Sequence, residues 1–426
     1  MFVDSDMELM PDVVGECVEV MEDEKVGGVV IPERSVGEGF WVRVRDFERG
    51  FYAGTEVESA RGRPSKIALL LDRERHPYEG VVRPFINWAK EFSKNGWEVH
   101  FLLLNCEKKL TEFIESIDGI KYKNSKKFKE IVDYINIVKP NIILTDDNFR
   151  RLRLLKKIKS KIQIKTGVYV QILFGVHSIV DVFDLKYLPT KERILFKIVR
   201  VVPFNLLKAS YKKLLQKQDI LIANSQITAT LLHTLYGVEP HGIVYPPVNT
   251  EIFKPQNVKK KDQVLLYLGS HAGDTDENFV KEICKVLEDK NFKILAIGNK
   301  MLAKKLSKRY EIHHISGVSD KELAKIYSEC KLAICPQKWE QFGYVIAESI
   351  ACGTPVLVFN VVGAAEIVKQ SRFGFVAYNS RNFLEILEKL LESEIKPPCI
   401  AIDKHKLKYS IENSTQAFIE VLKNVR

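Results

Sequence analysis

Short apolar runs alternate with amphipathic helical segments from residue 65 onward, and this alternation constrains the fold more than any other feature. The runs have the length and continuity of strands that are buried on both faces of a parallel sheet. Helices between such strands cover those faces. The sequence therefore predicts an α/β fold. The first series of strand candidates is 65–72, 96–105, 141–147, 164–173 and 219–225.

The pattern is interrupted at YPPVNTEIFKPQNVKKKD (245–262), where prolines and a run of lysines predict a linker. We therefore expect two tandem Rossmann-like domains, at 65–248 and 249–426, with the last helix crossing back. An interdomain cleft should lie between the carboxyl ends of their sheets. The second series of strand candidates is 263–270, 292–299, 311–317, 331–337, 354–360 and 374–378.

The composition is that of an ordinary globular protein, with 46% hydrophobic and 28% charged residues among 426. The chain has no run of about 18 or more apolar residues. It opens with MFVDSDMELM, which carries acids where a signal peptide has basic residues. The seven cysteines are scattered without a C-x-x-C pair, so neither a disulfide framework nor a zinc site is indicated. We expect a cytoplasmic protein.

The formal net charge of +10 indicates an anionic partner. The charge is concentrated in 149–165, which has eight Lys or Arg and no acid, and in 191–218, where bases alternate with apolar residues. One interpretation is a set of solvated faces on surface helices. The other is a basic amphipathic surface on the inner face of an anionic membrane. Nucleic acid is not expected as a partner, because no nucleic-acid-binding motif accompanies the charge.

Two glutamates flank the start of an apolar helix in EQFGYVIAESIACGTPV (340–356). The segment Gln341-Phe342-Gly343 leads into the helix, and Gly353 and the proline after it end it. The N–H groups and the positive dipole end at such a helix start form a site for a diphosphate. A carboxylate in the second turn can accept hydrogen bonds from vicinal ribose hydroxyls.

Four stretches give the chain a resemblance to a known family: 222–238, 244–255, 315–358 and 363–368. In this order they resemble the retaining GT-B glycosyltransferases, the glycosyl transferases of group 1 type, over about 65–426. The resemblance implies the GT-B fold, an α/β arrangement of two Rossmann-like domains. It also implies a nucleotide-sugar as co-substrate and no other required cofactor.

The resemblance assigns roles to the helix motif. Glu348 would bind the donor ribose, and the other interpretation is an ordinary acid on the helix surface. Phe342 and Gly343 would lie against the donor. Glu340 would lie beside the donor sugar as a catalytic residue, supporting positive charge at the anomeric carbon. Its alternative role is to stabilise the helix dipole.

Further donor-site residues follow from the same resemblance. Gly363 and Ala364, where the family has two glycines, begin a second loop-to-helix turn ahead of Glu366. Gly269 lies in the donor loop after the first strand of the second domain. Gly80 lies in the turn after the first strand of the chain, and a glycine there is also common in ordinary turns. His177 is a catalytic candidate at the cleft, although a single histidine is more often structural.

The donor loop departs from the family at residues 267–279. Ser270 stands where the family has an Arg, and the first Lys is Lys281. Three acids occupy the space instead: Asp274, Asp276 and Glu277. Losing two charge-assisted contacts to a leaving diphosphate weakens transition-state stabilisation. Either Lys300 or Lys338 substitutes, or the leaving group differs, or the protein is catalytically weak.

Residues 1–62 belong to neither series of strands. Their Asp4-x-Asp6 pair, with IPERSVGEGFW (31–41), resembles part of a GT-A glycosyltransferase, in which such a pair holds a divalent metal. The strands that should precede this motif are absent. We therefore expect a partial fragment without a working metal site.

These features predict a glycosyltransferase that moves a sugar from a nucleotide-sugar to a saccharide or lipid-linked acceptor with retention of configuration. The alternative is a catalytically weak or inactive GT-B protein that binds a nucleotide-sugar or serves as a partner subunit. A GT-B epimerase or phosphorylase matches the helix motif less well.

Overall fold

The computed structural model describes residues 65–74, 76–77, 80–171, 173, 204–269, 275–337, 339–392 and 407–424. Contacts divide the chain into two units, Met1–Pro64 and Ser65–Arg426. The first unit, with the predicted GT-A-like fragment and its Asp4 and Asp6, lies outside the described residues.

The N-terminal half of the second unit, here called the N-lobe, contains a parallel sheet of seven strands in the order β3-β2-β1-β4-β5-β6-β7. Its central strands are almost fully buried, as expected for a sheet covered on both faces. The strands are β1 (Lys66–Asp72), β2 (Glu98–Leu104), β3 (Ile120–Ser125), β4 (Ile142–Asp146), β5 (Lys165–Val170), β6 (Ile220–Ala223) and β7 (Gly242–Ile243).

Helices pack on both faces of this sheet. The first of them begins with Pro84 in its opening turn, where the missing N–H costs no hydrogen bond. Its apolar residues recur at helical spacing and are buried against the strands. The described N-lobe helices are α1 (Arg83–Lys94), α2 (Lys108–Glu115), α3 (Phe128–Val138), α4 (Phe149–Lys159), α5 (Phe204–Leu215) and α6 (Gln226–Leu231), followed by a π-helical turn (Leu232–Tyr236).

The C-terminal half, here called the C-lobe, contains a parallel sheet of six strands in the order β10-β9-β8-β11-β12-β13. The strands are β8 (Lys261–Tyr267), β9 (Lys293–Ile297), β10 (Ile312–Ile315), β11 (Cys330–Cys335), β12 (Val356–Phe359) and β13 (Gly374–Ala377). The helices are α7 (Glu277–Asp289), α8 (Lys300–Leu306), α9 (Asp320–Glu329), α10 (Tyr344–Ala351), α11 (Ala364–Ser371), α12 (Ser380–Glu392) and α13 (Ile411–Asn424).

The predicted α/β fold with two parallel sheets is confirmed, and every strand candidate forms a strand. Two strands were missed by the sequence reasoning, β3 and β7. Both lie at the edges of their sheet, where one side of the strand has no neighbour. The middle of β3 is polar and partly exposed, and β7 has two residues, so neither forms the continuous apolar run of a buried strand.

Helix α13 packs on the N-lobe although it follows the C-lobe in sequence. Phe418 lies among the N-lobe aromatic residues, with its ring centroid 4.7 Å from that of Trp88. The indole Nε1 of Trp88 donates to Ser414 Oγ (2.8 Å), and Ser414 Oγ donates to the carbonyl of Tyr245 (2.6 Å). The end of the chain is therefore bound to α1 and to the segment that joins the lobes.

None of the helices in the described ranges combines the length and the apolar character needed to cross a membrane.

Candidate functional site

Each sheet reverses its strand order at one point, between β1 and β4 in the N-lobe and between β8 and β11 in the C-lobe. In open α/β sheets, ligands bind outside the carboxyl ends of the strands at such a switch point. In the C-lobe, the segment 336–343 leaves β11 at this edge and leads into α10.

Helix α10 begins without a side-chain cap. Its N-cap is Gly343, whose φ of 84° lies in the left-handed region that glycine adopts without strain. The N-terminus therefore presents backbone N–H groups and the positive end of the helix dipole, which suits an anion. Phe342 is 4% exposed and packs between Tyr245 and Tyr344, so its ring supports this turn from the core.

Glu348 lies in the second turn of α10 and is buried, with 2% exposure. Nη1 of Arg83, at the start of α1 in the opposite lobe, lies 2.6 Å from Oε1. The hydroxyl of Tyr327 donates to Oε2 (3.0 Å). Burial raises the pKa of Glu348 above its usual range, and the contact with Arg83 opposes that rise. The carboxylate is therefore part of a contact between the lobes rather than a residue on the helix surface.

Arg83 is enclosed by groups of the C-lobe and the linker. Its guanidinium lies 4.8 Å from the ring centroid of Tyr344 and 5.5 Å from that of Phe253. Its Nη2 lies 3.9 Å from Asp320, the first residue of α9. Burial lowers the pKa of Arg83, but the nearby acidic groups together raise it above its ordinary value. The guanidinium is therefore charged at any ordinary pH.

The loops before α10 and α11 touch each other. The backbone N–H of Gly363 donates to the carbonyl of Glu340 (2.7 Å). A Cβ added to Gly363 would lie 1.9 Å from the carbonyl oxygen of Gln341, so only glycine permits this approach. The structure thus brings together the predicted residues Glu340, Gly343, Gly363 and Ala364, the last of which opens α11.

Glu366 makes a second contact between the lobes, which the sequence reasoning missed. It lies in the first turn of α11 and accepts from the backbone N–H of Gln226, at the start of α6, with both oxygens at 3.1 Å. The hydroxyl of Tyr245 also donates to it (2.9 Å). Burial raises the pKa of Glu366. Helix α10 carries Glu348 in its second turn, and α11 carries Glu366 in its first turn. Both carboxylates reach the N-lobe.

The other predicted site residues lie in different parts of the structure. Gly269 follows β8 with a φ of 78°, and its carbonyl accepts from Asn299 N (2.9 Å), so the loops after β8 and β9 are in contact. Gly80 is exposed, and a Cβ added there would meet no atom within 4 Å. His177, Ser270, Asp274 and Lys338 lie outside the described residues. Lys300 is exposed at the start of α8.

Two of the unusual acids in the donor loop have structural partners. Asp276 is the N-cap of α7 and accepts from the backbone N–H groups of Asn278 and Phe279. Glu277 pairs with Lys281 and Lys305, each at 2.7 Å. Capping and ion pairing account for these acids without reference to a ligand.

Charged side chains fill the switch point of the N-lobe sheet. Arg151 on α4 pairs with Asp146 at the end of β4 and with Glu74 beyond β1. Burial and the adjacent Asp147 raise the pKa of Asp146 well above its usual range, and burial lowers that of Arg151 to about 10. Asp147 accepts from Gln171 N, Leu173 N and Tyr211 OH at 2.7 to 2.8 Å. The acids at this edge are therefore paired within the lobe.

The basic segment 149–165 includes α4, whose outer face borders an open groove of about 580 Å³. The groove combines four cationic side chains with a leucine, an arrangement suited to an anionic surface. Its lining residues are Arg150, Arg153, Leu154, Lys156, Lys157 and Ser160. Within the described ranges, no group of three or more His, Cys, Asp or Glu side chains is arranged to hold a metal ion.

Sequence comparisons identify relatives of part of the chain. Residues 248–410 match the family described as glycosyl transferases group 1. The chain is 28% identical over 129 residues to an uncharacterized glycosyltransferase, MJ1607, of Methanocaldococcus jannaschii, covering 28% of this chain and 33% of that protein. It is 24% identical over 243 residues to the D-inositol 3-phosphate glycosyltransferase of Rhodococcus erythropolis, covering 49% and 54%. It therefore spans a third to about half of the length of these relatives.

Structural comparisons cover more of the chain. A glycosyltransferase from Rickettsia africae aligns with a TM-score of 0.64 at 15% identity, over 85% of this chain and 99% of that one. Anabaena Alr3699/HepE in complex with UDP aligns with a TM-score of 0.62 at 14% identity, over 84% and 100%. At this identity the likeness establishes the fold, so the predicted GT-B fold is confirmed for the second unit.

Proposed function

Because residues 248–410 match the glycosyl transferases group 1 family on a GT-B fold, we propose that this protein is a glycosyltransferase. It transfers a sugar from a nucleotide-sugar to an acceptor with retention of configuration. The observation that carries the proposal is the junction before α10 and α11, where Gly363 N donates to Glu340 O and two helix N-termini follow.

The donor's diphosphate binds at these helix N-termini, whose N–H groups and dipoles stabilise the charge that develops on the leaving phosphate. Gly269 lies in the loop after β8 at the same edge of the sheet. Glu340 supports positive charge at the anomeric carbon, and His177 binds a sugar hydroxyl. Glu348 accepts from the ribose. No residue named here has to form a covalent bond to the sugar, and no metal is needed in this scheme.

The acceptor is an anionic or lipid-linked saccharide or polyol, and the groove on α4 supports this part of the proposal. One relative is named D-inositol 3-phosphate glycosyltransferase, and D-inositol 3-phosphate carries a phosphate group. The same groove would let the protein bind peripherally to the inner face of an anionic membrane, with a cytoplasmic location.

A binding and transfer experiment tests the donor site. Thermal shift is measured with UDP-, GDP- and ADP-sugars on wild type, Glu348→Ala and Glu388→Ala, the last an exposed acid on α12 that serves as control. We expect one nucleotide class to stabilise wild type and the control equally. Its affinity should fall about 10- to 100-fold in Glu348→Ala, as for the loss of hydrogen bonds to a charged group. Equal stabilisation of all three proteins would show that the ribose assignment is wrong.

The second candidate function is nucleotide-sugar binding without turnover. It is favoured by the donor loop, where Ser270 stands in place of an Arg and Glu277 occupies Lys281 and Lys305 in ion pairs. A transfer assay with the stabilising nucleotide-sugar separates the two. Release of the nucleotide that depends on an added acceptor supports the transferase, whereas binding without release supports the alternative.

A further inference from the structure

Glu348, which we propose as the ribose ligand, faces a cation of the opposite lobe in the structure. Arg83 Nη1 lies 2.6 Å from Oε1, and Tyr327 OH donates to Oε2. The carboxylate has 2% exposure. A ribose hydroxyl therefore cannot reach Glu348 while Arg83 holds this position.

The Arg83–Glu348 contact is close but poorly directed. Despite the short distance, Oε1 of Glu348 receives no hydrogen bond of good geometry, and the buried hydroxyl of Tyr344 has no partner either. Well-formed arginine–carboxylate pairs are bidentate, with two parallel hydrogen bonds. A vicinal diol has two O–H donors and could satisfy this carboxylate better than the single guanidinium contact does.

Arg83 is the more accessible member of the pair, since its side chain retains 17% exposure. The rings of Tyr344 and Phe253 and the carboxylate of Asp320 hold the guanidinium without help from Glu348. Arg83 can therefore give up Glu348 and keep other partners for its charge.

We infer, on the basis of the proposed function, that Arg83 occupies the ribose-binding position at Glu348 in the donor-free protein. Donor binding replaces the Arg83–Glu348 contact with hydrogen bonds from the ribose and releases α1 from α10 at this point. Arg83 is thus a positioning residue of the donor site: it neutralises Glu348 while the site is empty and lowers the affinity for the donor.

Isothermal titration calorimetry with UDP, GDP and ADP tests this inference on wild type, Arg83→Gln and Arg83→Lys. Arg83→Gln removes the competing cation, so we expect the nucleotide that binds wild type to bind about 10-fold more tightly. That change corresponds to a donor-competent fraction of about one-tenth in wild type. Arg83→Lys keeps a cation and should lie between the two.

Asn87→Ala is the matched control. Asn87 lies one turn further along α1, and its Nδ2 donates to the carbonyl of Pro247 in the linker (3.1 Å). This variant loosens α1 without touching Glu348, so its nucleotide affinity should equal that of wild type. Melting temperatures of Arg83→Gln, Glu348→Gln and the double variant are measured without nucleotide. If the pair forms in solution, the change in the double variant should differ from the sum of the changes in the two single variants.

The outcomes separate this inference from the proposed function. Equal or weaker nucleotide binding by Arg83→Gln, with wild type still binding, would overturn the inference and leave the donor site intact. An equal gain in Asn87→Ala would also overturn it, because loosening alone would then explain the effect. If neither wild type nor any variant binds a nucleotide, the proposed donor site is wrong and the inference falls with it. If Arg83→Gln does not fold, the Arg83→Lys titration decides in the same directions.

Discussion

The two switch points of the molecule, one in each lobe, are built from different chemistry. In the N-lobe the ends of β1 and β4 carry Asp72 and Asp146, and Arg151 lies buried against them. In the C-lobe the end of β8 is followed by Gly269, and the amide of Gln337 donates to the backbone carbonyl of Tyr267 (2.6 Å). One edge is filled by acidic and basic side chains, and the other is built from backbone and amide groups.

The N-lobe edge is occupied by its own paired side chains, whereas the C-lobe edge leaves room for a ligand. A buried charge is stable only when it is paired, and the N-lobe acids find their partners within the lobe. The C-lobe edge instead directs the uncapped start of α10 toward its ligand-binding side. We therefore propose that the N-lobe edge contributes to folding and that the C-lobe edge binds the anionic part of the donor.

Removing the central cation of the N-lobe edge should have the largest effect. In Arg151→Met, Asp146 and Glu74 would stay buried without their partner, which typically costs about 3–5 kcal/mol of unfolding free energy. Urea unfolding followed by circular dichroism measures the loss. Arg153→Met on the same helix is the control, because Arg153 is exposed. In the part of the chain that the structure describes, its guanidinium contacts one aromatic ring, that of Phe149. A loss in Arg151→Met no larger than in the control would remove the distinction between the edges.

The sequence allowed the sheets to be predicted because their buried strands are continuous apolar runs, as in Ile67–Leu71. It also carried a signal that the reasoning did not use. Asp276 directly precedes an amphipathic helix, which is the ordinary pattern of an N-cap, and the structure gives it that role. The acids of the donor loop were instead interpreted only as residues that stand where the family has an Arg and a Lys.

The partners of the predicted site could not be found in the same way. Arg83 and Glu348 are far apart in sequence and meet only because α1 and α10 face each other across the two lobes. Glu366 reaches the N-terminus of α6 for the same reason. Periodicity indicates whether a residue is buried locally. The local sequence around Glu348 or Glu366 therefore does not encode the partner of that residue in the other lobe.

Adding a methyl group at Gly363, where the loops before α10 and α11 meet, tests the role that we propose for the C-lobe edge. In Gly363→Ala the added Cβ would lie 1.9 Å from Gln341 O and 3.1 Å from Ile227 Cγ2, so the backbone must move. Overpacking of this kind costs up to about 3 kcal/mol, and the displaced loop should weaken nucleotide binding about 10-fold or more. Nucleotide affinity by calorimetry and the unfolding free energy measure the two effects.

Gly80→Ala is the control for this substitution, because an added Cβ there meets no atom within 4 Å. It should leave the unfolding free energy within about 0.5 kcal/mol of wild type. If Gly363→Ala loses no more unfolding free energy than Gly80→Ala and binds the nucleotide as tightly as wild type, the close approach of the two loops is not needed for the donor site.

The groove on α4 is the anion-binding surface that we propose for the N-lobe, and it lies outside the strand edge. Lys156→Gln with Lys157→Gln removes two charges from the groove and should weaken binding to vesicles of phosphatidylserine and phosphatidylcholine about 30-fold, at about 1 kcal/mol per charge. Sedimentation with the vesicles measures the partition. Lys304→Gln with Lys308→Gln, two exposed lysines of the C-lobe, changes the net charge equally and should keep most of the binding. Equal losses in both double variants would mean that net charge, and not this groove, attracts the membrane.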